Sequence, residues 1–375
     1  MTHALAPRIG TAVTTLFMLL LVTSFATRSA WLFALYAGVA LAIVLTHVRP
    51  LSTMRGRDRL LVVTLAVTMT AMLPISALRN GSAIVYYVAT PVALAAAWLL
   101  TRDLEGYCVA SKRLLLLAQS VILVYLAYSG PDDFPLENLL PESSSNGVTS
   151  YLVLLQSNYA LASFLGRRRA TLPTALATLA ICIVGYGRGS LLTAAGIVVV
   201  SGLAMMSLMK PRTAVLATVI AFTGAAALFT AYEEEVVAFV EVNTKIGSGL
   251  DDEPRQQILN DYLGRIDAAT VFIGADYRGT SIELDYRNNP HNSYLRAHHV
   301  FGLPYLLAIL AFPIALGWRR MSLGAGLFAG SIILLILFRA FTEPILFPTP
   351  FDFFYFAVCF LLAHRRRAEL HGVAR

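Results

Sequence analysis

Residues 60–78 read LLVVTLAVTMTAMLPISAL, an uncharged apolar run long enough to cross a bilayer as a helix. Similar runs recur at about 10–27, 30–48, 83–100, 114–129, 147–165, 170–186, 190–208, 213–231, 298–317, 322–339 and 345–363. Hydrophobic residues make up 57% of the 375, and charged residues only 14%. A soluble chain carries about 25% charge. Lipid offers no partner to a bare backbone amide, so a span is either a helix or a strand of a closed barrel. Barrel strands alternate in polarity and these runs do not. The expected fold is therefore all-α: a polytopic membrane protein of about 12 transmembrane helices, with residues 1–375 forming one integral membrane domain. The first run, which follows Arg8, is longer than the apolar part of a signal peptide and reads as a helix.

Charge sorts the loops between these runs. One set holds Arg8; Arg49, Arg55, Arg57 and Arg59; Arg102, Lys112 and Arg113; Arg167, Arg168 and Arg169; Lys210 and Arg212; Arg319 and Arg320; Arg365, Arg366 and Arg367; and Arg375. That is 19 of the 29 basic residues. The opposite short loops hold only Arg28, Arg79, Arg188 and Arg339. Basic residues hold loops in the cytoplasm. Both termini are thus expected inside, and the long loop at 232–297, between the ninth and tenth helices, is expected outside. This sorting also accounts for the net charge of +7, so nothing in it calls for a nucleic-acid partner. Cys108, Cys182 and Cys359 lie far apart in sequence and suggest neither a disulfide nor a thiolate metal site.

The long loop is the chain's one extended polar segment. Pro254 to Phe272 places Ile258, Leu259, Tyr262, Leu263, Ile266 and Ala269 on one face, which predicts an amphipathic helix over about 254–272. Arg255 and Arg265 both fall on it, about 15 Å apart by the helical rise. Glu233, Glu234 and Glu235 read as a solvated cap of the preceding helix. The connector from Gly130 to Asn146, with three prolines and a serine run, reads as a solvated turn-rich loop. The last span is interrupted by Glu343, Pro344, Pro348, Pro350 and Asp352. Non-helical backbone at such depth lies against protein or a water-filled cavity. Apart from this interruption, no ionisable residue is expected near mid-bilayer.

Three stretches carry residues with chemical potential. Gly185-Tyr186-Gly187-Arg188-Gly189-Ser190 reads either as a tight turn with an arginine reaching the headgroups, or as a turn presenting a guanidinium fork to phosphate. Arg255 and Arg265 read either as solvated charge or as a single arm reaching a site. In Asn289-Pro290-His291-Asn292-Ser293-Tyr294-Leu295, Asn292 or Ser293 suits a helix cap, and His291 has the pKa range of a base for a hydroxyl nucleophile. His298 and His299 read as residues packed or hydrogen-bonded within the helices, and no metal site is expected.

Together, and in this order, these stretches resemble the O-antigen ligase/O-antigen polymerase superfamily of bacterial membrane glycosyltransferases. The likeness covers mainly the C-terminal half. It comprises Tyr186-Gly187-Arg188-Gly189-Ser190-Leu191-Leu192, then Arg255-Gln256-Gln257-Ile258 with Phe272-Ile273-Gly274-Ala275, and then Pro290-His291-Asn292-Ser293-Tyr294-Leu295 followed by Phe301-Gly302-Leu303-Pro304. The chain departs from the family at Gly274-Ala275-Asp276, where Gly-x-Gly is expected, and no tryptophan follows Arg255.

The resemblance implies a twelve-helix enzyme of the bacterial cytoplasmic (inner) membrane, metal-independent and without a cofactor. Its donor would be an undecaprenyl-diphosphate-linked glycan and its acceptor a lipid A–core or glycan hydroxyl, both within reach of membrane lipid. Arg188 and Arg255, with Arg265 the alternative to Arg255, would bind the donor diphosphate, and His291 would activate the acceptor. Ligase and polymerase both fit, with a lean to ligase. A transporter of a small anion or lipid-linked sugar is the rival from another class, although the two halves lack paired Gly/Pro-interrupted spans.

Overall fold

The computed structural model describes residues 9–47, 54, 56–129, 136–141, 144–234, 238, 253–316 and 323–370. Glu235, the prolines at 131 and 135, and the basic residues Arg8, Arg49, Arg55, Lys245, Arg319, Arg320 and Arg375 lie outside these. The described residues are all helical or irregular. The helices are α1 (Thr11–Thr27), α2 (Ala30–Thr46), α3 (Gly56–Arg79), α4 (Ala83–Leu100), α5 (Leu104–Ser129), α6 (Ser145–Arg167), α7 (Leu172–Val184), α8 (Arg188–Ser207), α9 (Pro211–Ala231), α10 (Glu253–Leu263), α11 (Thr270–Ile273), α12 (Ser281–Leu284), α13 (Ser293–Ala315), α14 (Leu323–Thr342) and α15 (Asp352–Leu370). A helix thus lies over each expected apolar run. Six are long and apolar enough to cross a membrane: α3, α4, α5, α8, α13 and α14. α1, α2, α7 and α15 hold shorter apolar segments.

The surface supports a lipid environment. Trp31, Leu35, Leu60, Val67, Val124 and Leu216 are exposed, while Gln156, Asn158, Arg339 and Asp352 are buried. Water would drive this distribution the other way; hydrocarbon permits it. α6 is long enough to span but too polar to stand among the six, because Gln156, Ser157 and Asn158 sit at its middle. All three are fully buried and bonded: Asn158 donates to the Leu154 carbonyl (3.0 Å), Ser157 to Val153 (2.9 Å), and Gln156 to Thr171 Oγ1 (3.4 Å).

The chain forms two compact units, one from residues 1–110, 252–321 and 340–375, the other from 111–251 and 322–339. In the first, α3 packs on α13, α4 on α15, and α1 on α2. α15 is the core of this unit. Phe353 through Leu361 are buried on every side, which is what a helix apolar all round requires. Phe17 of α1, Tyr107 of α5 and Phe312 of α13 meet its aromatic rings at a tilt. The second unit packs α7 and α6 on α8, and α9 on α8.

α13 shows how the sequence repairs its own breaks. Pro304 and Pro313 have no N–H, so the carbonyls four residues earlier, Val300 and Ile309, lose their helical donors. Ser76 Oγ of α3 donates to the Val300 carbonyl, and Tyr355 Oη of α15 donates to that of Ile309 (2.8 Å). Between them Gly302 leaves helical geometry, at φ 70° and ψ −178°. α11 packs there so closely that a Cβ on Gly302 would collide with the Phe272 carbonyl, and a Cβ on Gly274 (φ 86°) with the His298 carbonyl. Gly302→Ala and Gly274→Ala therefore each carry backbone strain of about 1–3 kcal/mol besides the clash. Both are expected to lower the melting temperature of detergent-solubilised protein; a wild-type melt for Gly302→Ala would overturn this packing.

One expectation is corrected. The amphipathic helix ends at Leu263 rather than running to Phe272. Gly264 loosens it, the Arg265 and Ile266 amides bond back only three residues, and Asp267 then organises the turn that leads into α11. Asp267 Oδ1 accepts from the Thr270 (2.7 Å) and Ala269 (2.9 Å) amides. Thr270 and Ala269 hold its carboxyl below the usual range, so this turn is braced at neutral pH and loses that brace as pH falls through that lowered value. Arg265 consequently lies past the helix that carries Arg255. The face itself forms in part: Ile258 and Tyr262 are buried, Leu259 and Ile266 pack against them, and Leu263 is exposed. The helix ends follow the cap and the prolines read from the sequence. α13 starts at Ser293, five residues before the apolar run, because Asn292 caps it. α15 starts only at Asp352, since Pro344, Pro348 and Pro350 keep 343–351 out of a helix.

Candidate functional site

In the first unit the segment Pro290–Leu295 is a built corner. Asn292 is the N-cap of α13, its side chain accepting from the Tyr294 (2.8 Å) and Leu295 (3.2 Å) amides. Ser293 ties this helix start to the turn after α14: its hydroxyl donates to the Glu343 carbonyl (2.7 Å) and accepts from the Leu346 amide (3.1 Å). His291 precedes the cap in left-handed backbone (φ 47°), a conformation rare for a non-glycine residue and found disproportionately at functional sites. Its amide donates to Asn289 Oδ1 (3.1 Å), and its half-buried ring meets Tyr286 edge-on at 5.6 Å.

Arg255 comes to the same turn. Its guanidinium lies 3.5 Å from the Glu343 carboxylate, on the residue whose carbonyl holds Ser293. Arg265 does not: it is exposed, and its Nη2 donates to the Gly279 carbonyl (3.2 Å), bracing the loop. Of the two candidate arms, then, the fold carries Arg255 to the histidine corner. Glu343 is the partner that sequence reasoning saw only as a helix breaker.

Arg188 belongs to the second unit, where it is half-buried at the first position of α8. Its turn is tightly seated. Tyr186 is left-handed (φ 54°), a Cβ on Gly187 would strike Asn146 Oδ1, and Thr149 Oγ1 donates to Ser190 Oγ (2.8 Å). Arg339, almost wholly buried, donates to the Asn146 side chain (2.9 Å) and carbonyl (3.2 Å) and to Ser150. Asn146 thus lies between the glycine turn and a buried arginine.

His298 and His299 are structural partners of the loop. A carbonyl only accepts, so His298 Nε2–H donates to Val271 (2.8 Å), and its Nδ1 accepts from the Tyr262 hydroxyl (2.8 Å). Burial raises the Tyr262 pKa, which keeps that hydroxyl protonated; its oxygen in turn accepts the Ala275 amide (3.3 Å). His299 Nδ1–H donates to the Ala275 carbonyl (2.7 Å), and its ring stacks on Tyr277 at 3.7 Å.

The first unit also holds a cavity of about 930 Å³ at the end where α1 joins α2 and α3 joins α4. Five arginines line it: Arg28, Arg79, Arg278, Arg287 and Arg296. None was singled out by motif, although Arg28 and Arg79 are two of the four arginines on short loops of the side poor in basic residues. Convergence from separate chain segments leaves no local pattern to read. Arg188, Arg255, Arg265 and His291 do not line this cavity.

No family model matches this chain, and no curated protein or solved structure matches it either, so its function is read from the residues themselves.

Proposed function

We propose that this chain is a membrane glycosyltransferase that moves a glycan from an undecaprenyl-diphosphate carrier to an acceptor hydroxyl at the outer face of a bacterial cytoplasmic membrane. The reading includes twelve spans, cytoplasmic termini, an outward long loop, and a likeness to the O-antigen ligase/polymerase superfamily. The observation that carries it is the histidine corner: the most specific stretch of the resemblance is held by two layers of hydrogen bonds, with an arginine–carboxylate pair on the turn it grips.

In the proposed reaction His291 takes the proton of the acceptor hydroxyl as its oxygen bonds the anomeric carbon. The bond from that carbon to the phosphate oxygen breaks, and undecaprenyl diphosphate leaves. Arg255 balances the charge that develops on the leaving group, which is where preorganised donors lower a barrier most. Glu343 keeps the Arg255 fork oriented before the diphosphate arrives. Ligase is favoured over polymerase as the acceptor class, and transport of a small anion is the reading from another class.

Profiling the surface glycan of a strain lacking the protein tests this. Full-length polymer left on the carrier beside bare lipid A–core is the expected result. Lipid A–core bearing one repeat would make the protein a polymerase. An unchanged profile in a host that makes such a glycan would overturn glycan transfer and favour the transporter.

A further inference from the structure

We propose that the arginine-lined cavity of the first unit is a binding site for an acidic saccharide, two or three sugar rings carrying phosphate or carboxylate groups. The charges lining it do not cancel: five guanidiniums face two carboxylates, and both carboxylates are engaged locally. Asp276 pairs with Arg278 at 3.6 Å, and Glu283 accepts the Gly279 amide at 2.7 Å. Arg79 is held by the carbonyls of Ile273 (3.0 Å) and Gly274 (2.6 Å), which fixes its planar fork and leaves other N–H groups to donate. Among the described residues, the Arg287 and Arg296 guanidiniums make no hydrogen bond or ion pair, and Arg296 is half-buried. Gathering five guanidiniums at one cavity is costly, and an anionic ligand relieves the cost.

The shape narrows the ligand. A single phosphate satisfies one or two forks, whereas these arginines enter from the α1–α2 turn, the end of α3, the loops after α11 and α12, and the first turn of α13. The volume lies in the range of small-molecule sites, far above that of one phosphate. Between the charges stand hydroxyl and amide groups of Ser29, Asn80, Ser82, Tyr86 and Asn288, the partners that sugar hydroxyls need. Apolar lining is confined mainly to Phe25, Ala30, Phe33 and Pro350, too little to sheathe an acyl chain. None of His291, Arg255 and Glu343 lines this cavity, and binding there is measured without glycan transfer.

Titration of the full-length protein in zwitterionic-lipid nanodiscs tests this, with trigalacturonate as the acidic probe, glucose 1,6-bisphosphate as the phosphate probe and maltotriose as the neutral one. At least one of the two acidic probes is expected to bind, weakening as salt rises, with maltotriose at least tenfold weaker. Arg287→Gln and Arg296→Gln are each expected to weaken binding by about tenfold, as loss of a charge-assisted hydrogen bond does. Lys210→Gln, an exposed charge on the other unit, is expected to change nothing. Arg287 sits on an exposed loop, so its variant reports even if Arg296→Gln fails to fold. Equal binding of maltotriose, unaltered binding by both arginine variants, or no binding of either acidic probe would each overturn the proposal. Displacement of the bound acidic probe by phosphatidylglycerol in the nanodisc would assign the cavity to a lipid headgroup instead and overturn the saccharide.

Discussion

Replacing His291 with alanine is expected to abolish glycan transfer while leaving the protein in the membrane at its normal level. Loss of a general base costs about 10²–10⁴-fold in rate, enough to empty a surface-glycan band. A structural effect is separable here because the backbone at His291 is left-handed (φ 47°), and alanine is strained in that region. Asparagine tolerates it. His291→Asn therefore preserves the corner, with Asn292 still capping α13 and Ser293 still holding Glu343, and removes only the imidazole. Both variants are expected to be inactive, with His291→Asn melting at the wild-type temperature. Full transfer activity in His291→Asn would sink the catalytic role and leave the histidine as a turn residue beside Tyr286.

Asp352→Ala is expected to give the largest loss of stability. The Asp352 side chain is fully buried, with Oδ1 accepting the Phe347 amide (2.8 Å) and Oδ2 the Thr349 amide (3.1 Å). These bonds fold the 343–351 turn back onto the first residue of α15, the core helix of its unit. Alanine leaves two buried N–H donors without an acceptor, at about 1–3 kcal/mol each. Against a net stability of about 5–15 kcal/mol, that is a large share. Asparagine retains one acceptor oxygen, so melting temperatures should fall in the order wild type, Asp352→Asn, Asp352→Ala. The check is a thermal melt in detergent, and an Asp352→Ala protein as stable as wild type would mean that the turn is held by something else. The Arg255–Glu343 pair lies on this same turn, so transfer activity in Asp352→Asn is expected to fall even where the protein still folds.

Both predictions concern residues that sequence reasoning reached with different success. The apolar runs were legible because lipid imposes a composition on every span, and that signal is local and long. Asn292 as a cap was legible for the same reason, since a cap acts on the two or three residues after it. Asp352 was seen as an interruption, but its role was not: its partners are the amides of Phe347 and Thr349, and nothing in an alternation of proline and aromatic residues says which side chain accepts them. Ile266 and Ala269 keep the apolar period past Gly264 and so predict a longer helix, while Asp267 binds the amides of the turn that leads into α11 instead of continuing α10. Periodicity reports which face is apolar; it does not report where a competing turn ends the helix.

The kind of molecule is therefore written in the sequence alone: helical, apolar toward its surroundings, with one polar segment ending in the His291 corner. These properties depend on composition and on interactions reaching a few residues along the chain. Which arginines meet is decided by tertiary packing. It carried Arg255 to Glu343 and left Arg265 on the Gly279 carbonyl. It also brought Arg28, Arg79, Arg278, Arg287 and Arg296 to one cavity from positions up to 268 residues apart in the chain. Charge convergence of that kind is set by helix packing, by Gly274 and Gly302 allowing α11 to lie against α13, and by side chains that supply the donors α13 loses at its prolines. Packing is a relation between distant segments, and no single stretch of the sequence records it.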